Sequence, residues 1–178
     1  EHPHPPPGCI PEFLAQIVVV HPNLDIVCGI PCRKILDNKA KTLQLAYHQL
    51  GPFDLAFLAH VLRRNETVGM VDLSMNHIAG LEKSNRGDEE YCGDGLAALA
   101  GTLRTHPKLR SVCIYLNAIG KKGVPILDQI LRGSSPMFKI ANFQFTGFEK
   151  LESTTKTVIK LRKALLEAAE AGGVELEI

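Results

Sequence analysis

Tryptophan is absent from this chain of 178 residues, and aromatic side chains make up only 6% of it. Any core must therefore be aliphatic, and with hydrophobic residues at 45% there is enough material for one domain. No sign of charge predominates: 20 Lys and Arg face 19 Asp and Glu, a formal net charge of +1. A global field that draws in nucleic acid or an anionic membrane is thereby excluded. Long apolar runs are missing too. Ile17–Val20 is a strongly apolar run of four residues, far short of a membrane span. The chain opens Glu-His-Pro-His, not with the basic and then apolar segment of a secretory leader. The five cysteines (Cys9, Cys28, Cys32, Cys92 and Cys113) are odd in number and scattered, unlike a disulfide framework. Free thiols in a reducing, intracellular and cytoplasmic setting are the expectation. Cys28 and Cys32 have CxxxC spacing, and no second cysteine pair or histidine cluster completes a zinc site. A Gly-rich phosphate loop, HExxH, GxSxG and a dinucleotide fingerprint are all lacking. No catalytic residue, cofactor or metal is assigned, and the chain is expected not to be an enzyme.

What the sequence does contain is a repeat. The template L-x-x-L-x-L-x-x-N-x-L is filled by Val68, Val71, Leu73, Asn76 and Ile78, and again by Leu109, Val112, Ile114, Asn117 and Ile119. Ala40, Leu43, Leu45 and Leu50 give a third copy, with His48 in place of Asn. Degraded copies start at Leu24, with Val27, Gly29 and Cys32, and at Met137, with Ile140 and then Phe143 or Phe145. A second pattern, L-A-x-x-L-x-x-N-x-x-L, leads into each copy. Leu58, Ala59, Leu62, Asn65 and Val68 carry it, as do Leu99, Ala100, Leu103, His106 and Leu109. Its three-and-four spacing predicts an amphipathic helix. Ala40 to Val68 and Leu109 to Met137 are both 28 residues, whereas Val68 to Leu109 is 41. The excess of 13 lies within residues 79–94 and predicts a protruding loop near 81–93. Leu24 to Ala40 is only 16, which predicts a unit without its helix.

Each unit reads as strand, turn and helix. Strands are expected near 24–29, 41–46, 69–74, 110–115 and 138–143, with helices near 54–64, 95–105 and 123–132. Stacked units share one core, because a single unit cannot bury its own apolar face. Asn76 and Asn117 point inward and satisfy backbone groups in the turns. The histidines have structural readings of the same kind. Residues 1–8, EHPHPPPG, form a proline-rich extended tail. Pro11–His21 predicts a capping helix at the front. At the back, Val158, Leu161, Leu165 and Ala168 predict a helix over 153–171, and VELEI at 174–178 an edge strand.

The paired motifs and the 28-residue period resemble the ribonuclease-inhibitor-like class of leucine-rich-repeat proteins, over roughly residues 10–148. That resemblance implies an α/β solenoid: a right-handed βα arc with parallel strands, about four to five repeats and capped ends. Residues 9–178 would form a single such domain, closed by a helix–strand cap at 153–178. It also implies a job of protein binding, as an interaction module, scaffold or subunit, on a concave face lined by the strands. The Ran GTPase-activating protein shares this repeat class, and a regulator of small GTPases is the alternative. Its familiar members have many more repeats and an acidic tail.

Side chains alternate across a strand, so the x positions of the template face outward. Aligned units place Ala46, Ser74, Tyr115 and Phe143 in one column, Tyr47, Met75 and Leu116 in the next, and Gln44, Asp72 and Cys113 in a third. The expected partner-binding residues are Tyr47, Met75, Asp72, Tyr115, Leu116 and Gln44. The partner is a protein, not nucleic acid or an inserted membrane.

Overall fold

The computed structural model describes residues 9–80, 92–117, 119–133, 139–142 and 156–178. The expected tail, most of the expected loop at 81–93, Met137, Phe143 and Phe145 lie outside them. In chain order the described elements are α1 (Cys9–Val20), α2 (Cys32–Leu36), β1 (Thr42–Gln44), α3 (Pro52–Leu62), β2 (Met70–Asp72), α4 (Asp94–Thr105), β3 (Ser111–Cys113), α5 (Gly120–Gly133), β4 (Ile140–Asn142), α6 (Lys156–Gly172) and β5 (Glu175–Glu177).

The strands form one sheet in the order β1-β2-β3-β4-β5, and every pair is parallel. Parallel neighbours need a crossover, and the helices supply it. Register places Leu43, Val71, Val112, Ala141 and Leu176 on one row. The first four are buried and Leu176 is half-buried. Leu45, Leu73 and Ile114 form a second buried row, where the ladder continues past the strands through Leu45 N–H to Asp72 O, Leu73 N–H to Cys113 O and Ile114 N–H to Asn142 O. These are the inward template positions, joined in one core by the helices.

The helix α3 begins where proline fits without loss, at its first residue, Pro52. The Asp54 carboxylate accepts the Gly51 amide at 2.8 Å and closes that end. Leu55, Ala56, Phe57, Leu58, Ala59, Val61 and Leu62 are all buried, because α3 lies between α1 and α4. A helix apolar nearly all round is what such a position requires. The α3–α4 approach is close at Gly95, where a Cβ would stand 2.4 Å from the Pro52 carbonyl oxygen. Gly172 in α6 plays the same part against Leu131 in α5, at 2.1 Å.

Four expectations are corrected. Residues 24–29 form no strand; Val27 and Ile30 make a single antiparallel bridge, and the ladder begins at β1. The unit expected to lack a helix has a short one, α2, whose Cys32 and Ile35 fill the core. His48 does not take the inward place of an asparagine. It is exposed, and its Nδ1 lies 2.8 Å from the Ala46 carbonyl. The last repeat is out of step by one residue: Val112 pairs with Ala141, 29 residues on, and Ile140 stands in the row of Ser111. Ala141 is the smaller apolar residue, so the pattern of large side chains pointed to its neighbour.

The helix α6 buries Leu165 and Ala168, and β5 closes the sheet beside β4. Cys28, Cys32, Cys92 and Cys113 are free thiols. No helix among the described residues is long and apolar enough to cross a membrane.

Candidate partner-binding surface

The turns after the strands are built by two buried asparagines. Asn76 donates from Nδ2 to the Leu45, Leu73 and Ser74 carbonyls, and its Oδ1 accepts the Leu50 amide at 3.0 Å. Asn117 repeats this one unit later, donating to Leu73, Ile114 and Tyr115. Each amide therefore serves carbonyls of its own turn and of the preceding unit; Leu45, Leu73 and Ile114 depend on it, while Ser74 and Tyr115 also accept a backbone amide.

These turns hold the residue before each asparagine in the left-handed region. Met75 has φ 56° and Leu116 φ 54°; Tyr47, at the matching place before His48, has φ 63°. None is glycine, so each carries backbone strain on the order of 1–3 kcal/mol. The expectation that Tyr47, Met75, Tyr115 and Leu116 sit on strands is thereby corrected. They lie just past the strand ends, where the ladder persists through Tyr47 N–H to Ser74 O at 3.1 Å and Met75 N–H to Tyr115 O at 2.8 Å. Alternation breaks there, which is why the template misplaced them.

Tyr47, Met75 and Leu116 occupy successive rungs, beside the row Ala46, Ser74 and Tyr115. Tyr47 is 72% exposed and Leu116 42%, while Met75 and Tyr115 are half-buried. Ser74 is buried: its hydroxyl donates to Asp72 Oδ1, which also accepts the Ser74 amide at 2.9 Å.

The third row is polar and runs along the outer face of the sheet. Gln44, Asp72, Cys113, Asn142 and Glu177 follow one another in register. The Cys113 thiol meets the Ser74 hydroxyl at 3.0 Å, and Asn142 donates to Glu177 at 2.6 Å. Cys32, by contrast, is fully buried, and its thiol donates to the Ile30 carbonyl. Burial pushes its pKa up to about 11, so it is a core residue rather than a reactive one. Among the described residues, no three His, Cys, Asp or Glu side chains gather as metal ligands do.

Sequence reasoning missed the turns at the opposite end of the units. Asn65 Oδ1 accepts the Thr67 and Val68 amides, and its Nδ2 donates to the Ile35 carbonyl and to Asn38 Oδ1. One unit on, His106 Nδ1 accepts the Lys108 and Leu109 amides. The motif showed a polar residue at each place but not the bonds it makes.

With this geometry, likeness to known proteins lies in the fold. The chain is similar in structure to leiomodin-1 actin-binding site 2. The TM-score is 0.58 at 15% sequence identity, over 95% of this chain and 91% of that one. No protein-family model matches the sequence, and no curated protein matches it. The five-stranded parallel sheet with its helices fits a leucine-rich-repeat-like fold.

Proposed function

We propose that this chain is a non-catalytic protein-interaction module. It is read as a leucine-rich-repeat solenoid of the ribonuclease-inhibitor-like class that holds a protein partner against the outer, concave side of its sheet. The observation that carries the reading is the placement of Tyr47, Met75 and Leu116 on successive rungs, with Tyr115 in the next row. Tyrosine and aliphatic side chains on an ordered, strained frame make contact area at small entropic cost, as binding hot spots do. The polar row of Gln44, Asp72 and Cys113 alongside supplies hydrogen-bonding groups. Free thiols fit an intracellular setting.

Actin is the first candidate partner, chosen because leiomodin-1 actin-binding site 2 shares the fold. Cosedimentation tests it directly. Affinity capture from native extract, followed by mass spectrometry, extends the search. For any partner found, Tyr47→Ala, Tyr115→Ala and Leu116→Ala should each leave the unfolding midpoint nearly unchanged. At least one should weaken binding by about 1 kcal/mol or more. Phe53→Ala and Leu166→Ala, exposed on helices, should not. Binding that survives the first three changes and fails with the helix variants would place the contact elsewhere.

A further inference from the structure

Register brings together three cations that lie far apart in sequence. One position before β1, β2, β3 and β4 stand Lys41, Gly69, Arg110 and Lys139. Their backbones form one rung row: Gly69 N–H to Lys41 O, Arg110 N–H to Gly69 O and Lys139 N–H to Arg110 O, each at 2.8 Å. Rungs are about 4.8 Å apart, so Arg110 and Lys139 are neighbours and the row spans about 14 Å. All three side chains are exposed and none pairs with a described carboxylate. Some other exposed cations are paired, Lys39 with Asp37, Arg132 with Asp128 and Lys163 with Glu167; Lys34 and Lys160, on separate helices, pair with no described carboxylate, and what sets this row apart is that its cations share one line of rungs. Arg110 and Lys139, on adjacent rungs, repel one another, and an anion lying across them would relieve that repulsion. Gly69 puts no side chain between Lys41 and Arg110, and a Cβ there would make ordinary contact with the Lys108 carbonyl oxygen at 3.6 Å.

We propose that this row is a docking strip for an acidic, extended peptide segment of a protein partner. The proposal rests on the reading of the chain as a protein-binding module and names the chemistry of what it binds. About five extended residues cross the strip, and carboxylates on alternate residues reach successive cations. A broad anionic surface fits less well, because Asp72, Glu175 and Glu177 stand on the adjoining strands and would repel it.

The test is fluorescence anisotropy with a labelled polyglutamate peptide and the full chain. Binding should weaken as NaCl rises from about 50 to about 200 mM. The triple variant Lys41→Glu, Arg110→Glu, Lys139→Glu should bind about threefold more weakly or worse. Gly69→Lys, which fills the gap in the row, should bind more tightly; it carries the test if the triple variant does not fold. The triple variant Lys34→Glu, Lys122→Glu, Lys160→Glu, at exposed helix positions and with the same change in charge, is the control for net charge. Equal loss in that control, or binding indifferent to the row, overturns the proposal. Phosphatidylserine vesicles that bind through the same row when the peptide does not would assign it to membranes and also overturn it. Tyr47→Ala and Leu116→Ala should leave the peptide affinity unchanged, so failure of the strip is separable from failure of the apolar rows.

Discussion

At the scale of single residues, the polar side chains inside this fold are its fasteners. Asn76 and Asn117 each serve carbonyls that no backbone amide reaches. Truncating Asn76 strands the Leu45 carbonyl and truncating Asn117 the Ile114 carbonyl, while Leu73, which both serve, keeps one donor; the cost of such orphaned groups exceeds the worth of the bonds themselves. Asn76→Ala and Asn117→Ala should each lose about 2–4 kcal/mol in denaturant unfolding, whereas His48→Ala, at the matching but exposed place, should lose little. A second residue-scale prediction concerns pH. Burial, opposed by the Asn65 carbonyl beside the ring, holds the His106 pKa below its ordinary 6.5. The folded state therefore disfavours the imidazolium, and a protonated Nδ1 could not accept the Lys108 and Leu109 amides. This contribution is complete above pH 6.5 and is lost as pH falls through the lower, folded value. His60 acts in the same direction, through burial and then Arg63, against Glu12. His106→Asn, which installs the residue found at the matching Asn65, should keep the fold and flatten the decline in stability below pH 6.5. An unchanged pH profile would falsify the assignment. The sequence motif made the asparagines legible as inward polar residues, because they recur at a fixed offset from large aliphatics. It misjudged His48, since only the bonds of a turn tell a fastener from an exposed side chain in the same place.

At the scale of elements, helix spacing was legible and strand bounds less so. Three-and-four spacing marked α3, α4 and α5 to within three residues at either end. The strands shrink to three residues because the flanking turns, with their left-handed backbones, end the alternation early. Leu24–Gly29 failed as a strand despite its spacing, as Cys28 at φ 51° and Gly29 at φ 73° turn the chain back. The shifted last repeat hid the basic row, since with Ile140 taken as inward Lys139 aligns with Ser111 and not with Arg110. Two glycines were unreadable as spacers because they look like any helix glycine. Gly95→Ala and Gly172→Ala should each force their helices apart and cost about 1–3 kcal/mol or more, since the obstacle is a backbone carbonyl. Gly133→Ala meets only the flexible Arg104 side chain at 3.7 Å and should be neutral or slightly stabilising. Thermal unfolding of the three variants side by side checks the contrast.

At the scale of the whole molecule, each element touches only those near it in chain order. Among the described helices α1 packs on α2 and α3, α3 on α4, α4 on α5 and α5 on α6, while the sheet runs β1 to β5 in sequence. Among the described elements no contact closes the last unit onto the first, so stability is shared between neighbours and the ends depend on one side alone. Leu73 and Leu165 make the comparison, because both are fully buried leucines. Leu73 lies in the middle of the array, between Leu45 and Ile114, whereas Leu165 belongs to α6, which rests on α5 and β5. Each Leu→Ala change removes the same atoms and costs about 2–5 kcal/mol locally. In Leu73→Ala that loss weakens both halves and should lower the global unfolding midpoint. In Leu165→Ala the terminal unit should open by itself. Hydrogen exchange should then quicken in α5, α6 and β5 while α3 and α4 keep their protection. If instead Leu165→Ala quickens exchange evenly along the chain, the molecule unfolds as one unit, and stability is not passed from neighbour to neighbour.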